Sequence, residues 1–190
     1  MSSNKNQRTI TSLVQDRPGV LSRISGLFRR RGFNIASLAV GSSEKPGLSR
    51  MTFVVEGSAS SLRSVAEQLD KLIDVVEAKD ITEKNIVWRE LALIKVSSSK
   101  VNRSEILELA KIFRVNIIDI GVSSLTMEIT GGKEKIDSLI ELLRQFDIKE
   151  VIRTGRVATL RGTLIAVSYT HLRANETRHD IVCRLLNEIK

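Results

Sequence analysis

Apolar and polar positions follow one order of periodicities twice along this chain. In residues 9–15, T-I-T-S-L-V-Q, they alternate as in a strand, with Ser12 blurring the pattern. Val20, Ile24, Leu27 and Phe28 then recur at i, i+4, i+7 and i+8, which predicts a helix over 19–31 with one buried face. Phe33–Val40 reads as a second strand, and Pro46-Gly47 supplies turn chemistry before Leu48. In the third strand Met51, Phe53 and Val55 face one way and Arg50, Thr52 and Glu56 the other, as in a sheet covered on one side. Ser60 or Ser61 suits the cap of a second helix, buried through Leu62, Val65, Ala66, Leu69 and Leu72, and Val75-Val76 closes the unit.

After a charged stretch, Lys79–Lys84, read as a linker, the order begins again. Leu91–Val96 is a strand, and Asn102 with Glu105 forms a box-like cap for a helix buried through Ile106, Leu109, Ala110 and Phe113. Val115–Ile120 and Leu125–Ile129 are strands, Gly131-Gly132 turns the chain, a helix buries Ile136, Leu139, Ile140 and Leu143, and Glu150–Val157 is the last strand. The predicted fold class is α+β, with two tandem ferredoxin-like βαββαβ units at residues 8–81 and 86–160. F-R-V-N-I at 113–117 occupies the place of R-R-G-F-N-I at 30–35, so Asn116 corresponds to Asn34.

The first unit holds the candidate chemistry. In D-R-P-G-V-L at 16–21 a proline that needs no amide partner and a glycine without a side chain precede a helix. Backbone amides there, at the positive helix end, suit a small carboxylate. Asp16 offers either a helix cap or a negative charge, and Asn34, where the chain re-enters an extended run, an amide; these groups complement a free amino acid and are expected near each other. The second unit has S-S-S-K-V-N-R-S-E instead, and no such pocket is expected there.

Composition removes other classes of function. Lys and Arg number 30 against 22 Asp and Glu, a formal charge of +8, yet aromatics are only 4%, too few for a stacking surface on nucleic acid. The basic residues are dispersed except for Arg29-Arg30-Arg31, as on a solvated surface or a patch facing an acidic partner protein. No apolar run is long enough to cross a bilayer, the opening M-S-S-N-K-N-Q-R carries no hydrophobic leader, and a cytoplasmic location is expected. His171, His179 and Cys183 all lie in the last 28 residues, so 1–162 lack a His or Cys for a metal site, triad or thiol nucleophile. No phosphate-binding glycine motif occurs either. No chemistry, metal or cofactor is expected of this chain.

D-R-P-G-V-L-S-R-I-S-G-L-F-R-R-R-G-F-N-I-A-S-L, followed by L-S-R-M-T-F-V-V and ending in R-T-G-R-V-A-T-L-R-G, resembles the small regulatory subunit of acetolactate synthase, an ACT-domain family. The resemblance implies a regulatory subunit that activates the large catalytic subunit and confers feedback inhibition by valine or a related branched-chain amino acid. Thiamine diphosphate, a divalent metal and FAD belong to that large subunit. It further implies a homodimer with the effector between paired ACT domains. Pro18 and the amides of Gly19, Val20 and Leu21 would then meet the carboxylate together with the Asn34 side chain, and Asp16 or a carbonyl would meet the ammonium. Val20, Leu21 and Ile35 fit core or interface positions, some lining the side-chain pocket. The second unit, without this pocket, takes an interaction role. Pairing would also protect sheet edges and helix-free faces.

Two rival functions share the fold. A ferredoxin-like RNA-binding module would need an aromatic surface, toward which the third strand offers Phe53 alone. A stand-alone amino-acid sensor has no evident use for the second unit. Residues 163–190 lie beyond the resemblance and look like translated adapter sequence, a non-native extension. The competing reading of that tail is a helix with Ile181, Val182, Leu185 and Leu186 on one side.

Overall fold

A computed structural model describes residues 7–58 and 62–162. Its elements are β1 Gln7–Gln15, α1 Val20–Arg30, β2 Asn34–Ser42, β3 Leu48–Glu56, α2 Val65–Asp70 and β4 Val75–Asp80. The second half contains β5 Ile86–Ser97, α3 Arg103–Phe113, β6 Asn116–Ile120, β7 Ser124–Gly131, α4 Lys133–Leu143, β8 Ile148–Arg153 and β9 Val157–Leu160. The fold is α+β. Two antiparallel sheets have the orders β2-β3-β1-β4 and β6-β7-β5-β8, with β9 paired to β5. Each βαββαβ-like unit has its own core between sheet and helices. Ile10, Val14, Ile24, Phe28, Phe53 and Leu69 belong to the first, and Ile94, Ile106, Met127, Ile136 and Leu139 to the second.

The internal repeat holds at the level of single residues. Asn34 pairs with Glu56 and Asn116 with Glu128, each at the start of its strand, and both strands bulge two residues later, between Ile35 and Ser37 and between Ile117 and Asp119. Val14 and Val96 mark matching bulges where β1 meets β4 and β5 meets β8. An extra residue in a strand re-aims the side chains that follow, so Ser37, opposite Val54, faces the sheet side away from the helices.

The helix ends show how local chemistry builds these units. After α1, the Gly32 N–H donates to the Arg29 carbonyl and the Phe33 N–H to the Phe28 carbonyl, with Gly32 at φ 70°. This is a Schellman stop, and it carries the apolar contact such stops favour: Phe33 meets Phe28 edge-on at 5.9 Å, and Phe28 meets Phe53 at 5.3 Å. After α3 the same pair of bonds recurs, Arg114 N–H to Lys111 and Val115 N–H to Ala110, but here an arginine occupies the left-handed position at φ 53°.

Several expectations are corrected. Asn102 caps α3 with no side-chain bond, because its Oδ1 accepts from the Ser99 amide at 2.7 Å, so no capping box forms with Glu105. The stretch expected as a linker is partly strand: β4 runs to Asp80, Arg8 bridges Asp80 and Glu83, and Ile81 is buried. The last strand is broken in two by Thr154-Gly155-Arg156, with Gly155 at φ 75°. Val157–Leu160 then pairs with Ile86–Arg89, which lengthens β5 well before Leu91. The proposed Ser60 or Ser61 cap and the tail 163–190 fall outside the described residues.

Candidate effector site

At the end of β1 the chain turns sharply. The Asp16 N–H donates to the Gly47 carbonyl at 2.9 Å and the Gln15 N–H to the Asp74 carbonyl at 2.8 Å, which ties the turn to the β2–β3 hairpin and to the start of β4. Gly19 follows at φ 86°, a left-handed conformation that L side chains rarely adopt. Asp16 does not cap α1, which has no side-chain cap at all and no acidic residue in its first turn. Among the described residues, the Leu21 and Ser22 amides donate to no backbone carbonyl ahead of the helix, whereas Val20 and Arg23 donate to Arg17 and Gly19. Unclaimed amides and a bare glycine at a positive helix end thus form an anion-receptive patch. Arg23 borders it, its guanidinium 3.7 Å from where a Gly19 side chain would begin and 2.5 Å from the buried Asp74 carboxylate.

Of the remaining candidates, Asp16 and Pro18 are exposed, Val20 is a core residue, and Leu21 is 43% exposed although apolar. Asn34 and Ile35 lie elsewhere. They open β2 beyond the other end of α1, whose 11 residues span about 16 Å at ~1.5 Å per residue. Within one copy the amide of Asn34 therefore stands apart from the anion patch, because β2 can begin only after the helix has run its length. Asn34 is exposed and donates to Glu56 at 2.9 Å, while Gln7 donates to the other carboxylate oxygen at 2.6 Å. These two bonds, Asn34 first, hold the Glu56 carboxyl below its ordinary value.

The sheet face free of helices differs from its expected state. Thr9 and Val54 on that face are buried, and it is the chain's own second unit that reaches it. The Arg156 backbone N–H donates to Ser37 Oγ at 2.9 Å and its guanidinium to Thr9 Oγ1 at 2.9 Å, while the same guanidinium lies 4.3 Å from the centre of the Trp88 ring. Burial pushes the Arg156 pKa down, with Glu90 opposing. Beside this contact, Arg153 forks onto Glu90 at 2.7 and 3.2 Å and reaches Asp137 at 2.7 Å. A cleft of about 370 Å³ lies between the units, lined by residues that include Val54, Trp88, Lys133 and Arg156. Ser37, Trp88 and Arg156 were not singled out from sequence. The available signal was Gly155 inside a strand pattern, which marks a break or a close backbone approach.

For the rival readings, Phe53 is fully buried against Phe28 and offers no stacking surface. Among the described residues no helix is long and apolar enough to cross a membrane, and no cluster of three His, Cys, Asp or Glu could hold a metal ion.

Comparison with known proteins agrees with this architecture. The family profile described as "AHAS small subunit-like ACT domain" matches residues 10–77, and that described as "Small subunit of acetolactate synthase" matches 89–162. The chain is 50% identical over 156 residues to a probable acetolactate synthase small subunit of Archaeoglobus fulgidus, covering 82% of this chain and 98% of that one. It is 45% identical over 162 residues to the acetolactate synthase small subunit of Mycolicibacterium smegmatis, covering 85% and 95%. The crystal structure of the Thermotoga maritima acetolactate synthase small subunit superposes with a TM-score of 0.77 at 40% identity, covering 83% of this chain and 99% of that one. With both units matched in order and the repeat intact, the chain belongs to the acetolactate synthase small-subunit family.

Proposed function

We propose that this chain is the regulatory, non-catalytic partner of an acetolactate synthase large subunit, which it activates and renders sensitive to valine or a related branched-chain amino acid. The observation that carries the effector site is the patch at Gly19–Ser22, with the Leu21 and Ser22 amides unclaimed by backbone, a left-handed glycine and no capping side chain. The distance between that patch and Asn34 calls for two copies: the amides of one would hold the carboxylate, and Asn34 and Ile35 of the other would complete the site. Asp16 stands by for the ammonium. A homodimer follows from this reading, as does a cytoplasmic place beside the catalytic subunit in branched-chain amino acid biosynthesis. An effector shifts an equilibrium only through its different affinity for the two states.

The test is an activity assay of large subunit reconstituted with this chain, with and without valine, repeated with Gly19→Asp. Activation retained and inhibition weakened in the variant is the expected outcome. A chain that neither binds nor activates the large subunit would reject the function. Unchanged valine sensitivity of Gly19→Asp would reject the site.

A further inference from the structure

The seam between the two units supports an inference about how occupancy of the effector site is passed on, and it rests on the reading just given. Strand β2 carries Asn34 and Ile35 at its start, and two residues later Ser37 accepts the Arg156 N–H at 2.9 Å. Gly155 fits closely here, since a Cβ built on it would overlap Ser37 Oγ and stand 3.2 Å from Ser37 Cβ. Arg156 then grips two further strands, β1 through Thr9 Oγ1 at 2.9 Å and β5 through the face of Trp88 at 4.3 Å. Thr154 fastens the same loop to Leu91 of β5, its N–H donating at 3.0 Å and its hydroxyl accepting the Leu91 N–H at 3.1 Å.

We propose that the Thr154–Arg156 loop is a latch that carries effector occupancy at β2 into the C-terminal unit. Asn34, which Glu56 holds with one bond, stands three residues ahead of Ser37 on the same strand, across the β2 bulge at Ala36. Gly155 approaches Ser37 closely and the Arg156 N–H holds its hydroxyl, so a shift in β2 is delivered to Arg156 and, through Trp88, to β5 of the second unit. The cleft of about 370 Å³ beside the loop gives the two units room for a second arrangement. Coupling of this kind needs one element with two placements, and this loop touches both units.

Trp88 is the only tryptophan of the chain, so its emission reports on the latch without a label. The experiment uses the full chain, alone and with the catalytic subunit, as wild type, Ser37→Ala, Arg156→Ala and Arg156→Lys. In wild type, saturating valine changes Trp88 emission. In Ser37→Ala and Arg156→Ala, activation persists and valine affinity by calorimetry stays within about threefold, while half-inhibition needs about tenfold more valine or greater, a loss in the usual range of coupling. Arg156→Lys, which keeps the charge over the ring, falls between.

Inhibition equal to wild type in both alanine variants overturns the latch, as does affinity falling in parallel with inhibition or a Trp88 signal unmoved by bound valine. Should Arg156→Ala not fold, Ser37→Ala, which removes one oxygen, carries the test. Wild-type chain that binds no valine rejects the effector reading itself, a result distinct from uncoupling, and the latch falls with it.

Discussion

Asn34 and Glu56 face each other at the open end of the β2–β3 pair, amide nitrogen to carboxylate oxygen at 2.9 Å, with Gln7 closing on the second oxygen from β1. The amide thought to serve an effector is thus already engaged. Protonation of Glu56 weakens that bond, since a neutral carboxyl accepts less strongly than a carboxylate.

The pH dependence follows from the sign of that shift. The Glu56 carboxyl lies below the ordinary 4.5 in the folded chain, through Asn34 first and Gln7 second. Its contribution to stability is present above that ordinary value and is lost as pH falls through the folded value. Carboxyl-carbon NMR should give Glu56 a midpoint below that of free glutamate, and Asn34→Ala should raise it. A midpoint unmoved by that substitution would mean the bond does not persist in solution.

Gly19 at φ 86° makes a separable prediction. Gly19→Ala has room for its methyl group, with Arg23 at 3.7 Å, so its cost is backbone strain of about 1–2 kcal/mol. Gly19→Asn costs less, because asparagine tolerates the left-handed region. Urea unfolding of the two variants checks the order.

Arg114 is the non-glycine counterpart of Gly32, held left-handed at φ 53° by the stop of α3. Arg114→Gly should stabilise the second unit by about 1 kcal/mol, relief of strain partly offset by the greater freedom of glycine when unfolded. A rise in melting temperature is expected, and a fall would show that the arginine side chain contributes more than its backbone costs.

Arg153 holds the buried Glu90 with two bonds and Asp137 with a third. Arg153→Ala leaves Glu90 without that cation and should cost about 2–3 kcal/mol, below the range for a fully buried pair because Arg153 keeps some solvent. Glu90→Gln placed on that background should recover part of the loss. Chemical denaturation of the single and double variants measures both.

Both helical stripes and the central strands of each sheet were legible from periodicity, since burial of one face imposes its period directly on the residues. Phe28 and Phe53, or Ile106 and Ile136, could be placed inward without a structure. The Asn34–Asn116 repeat was legible for a similar reason: N-I recurs at the same step of the same motif, and the paired registers bear it out. Capping at Asn102 was not legible, because an asparagine side chain has several local partners within reach and Ser99 took it. The break at Gly155 left only the glycine itself as a signal, since Glu150–Val157 otherwise reads as one extended run until a second unit has to be fitted against Ser37.

The sequence by itself determined a doubled βαββαβ order, the inward faces, and a turn at Pro18-Gly19 that opens the first helix, all of which depend on residues near one another in the chain. Only the tertiary structure decided that α1 holds Gly19 and Asn34 apart, and that Arg156 crosses to Thr9. Distances along a helix and contacts between residues far apart in the chain exist only once the backbone is placed in space, and they leave no periodic trace in the order of the amino acids.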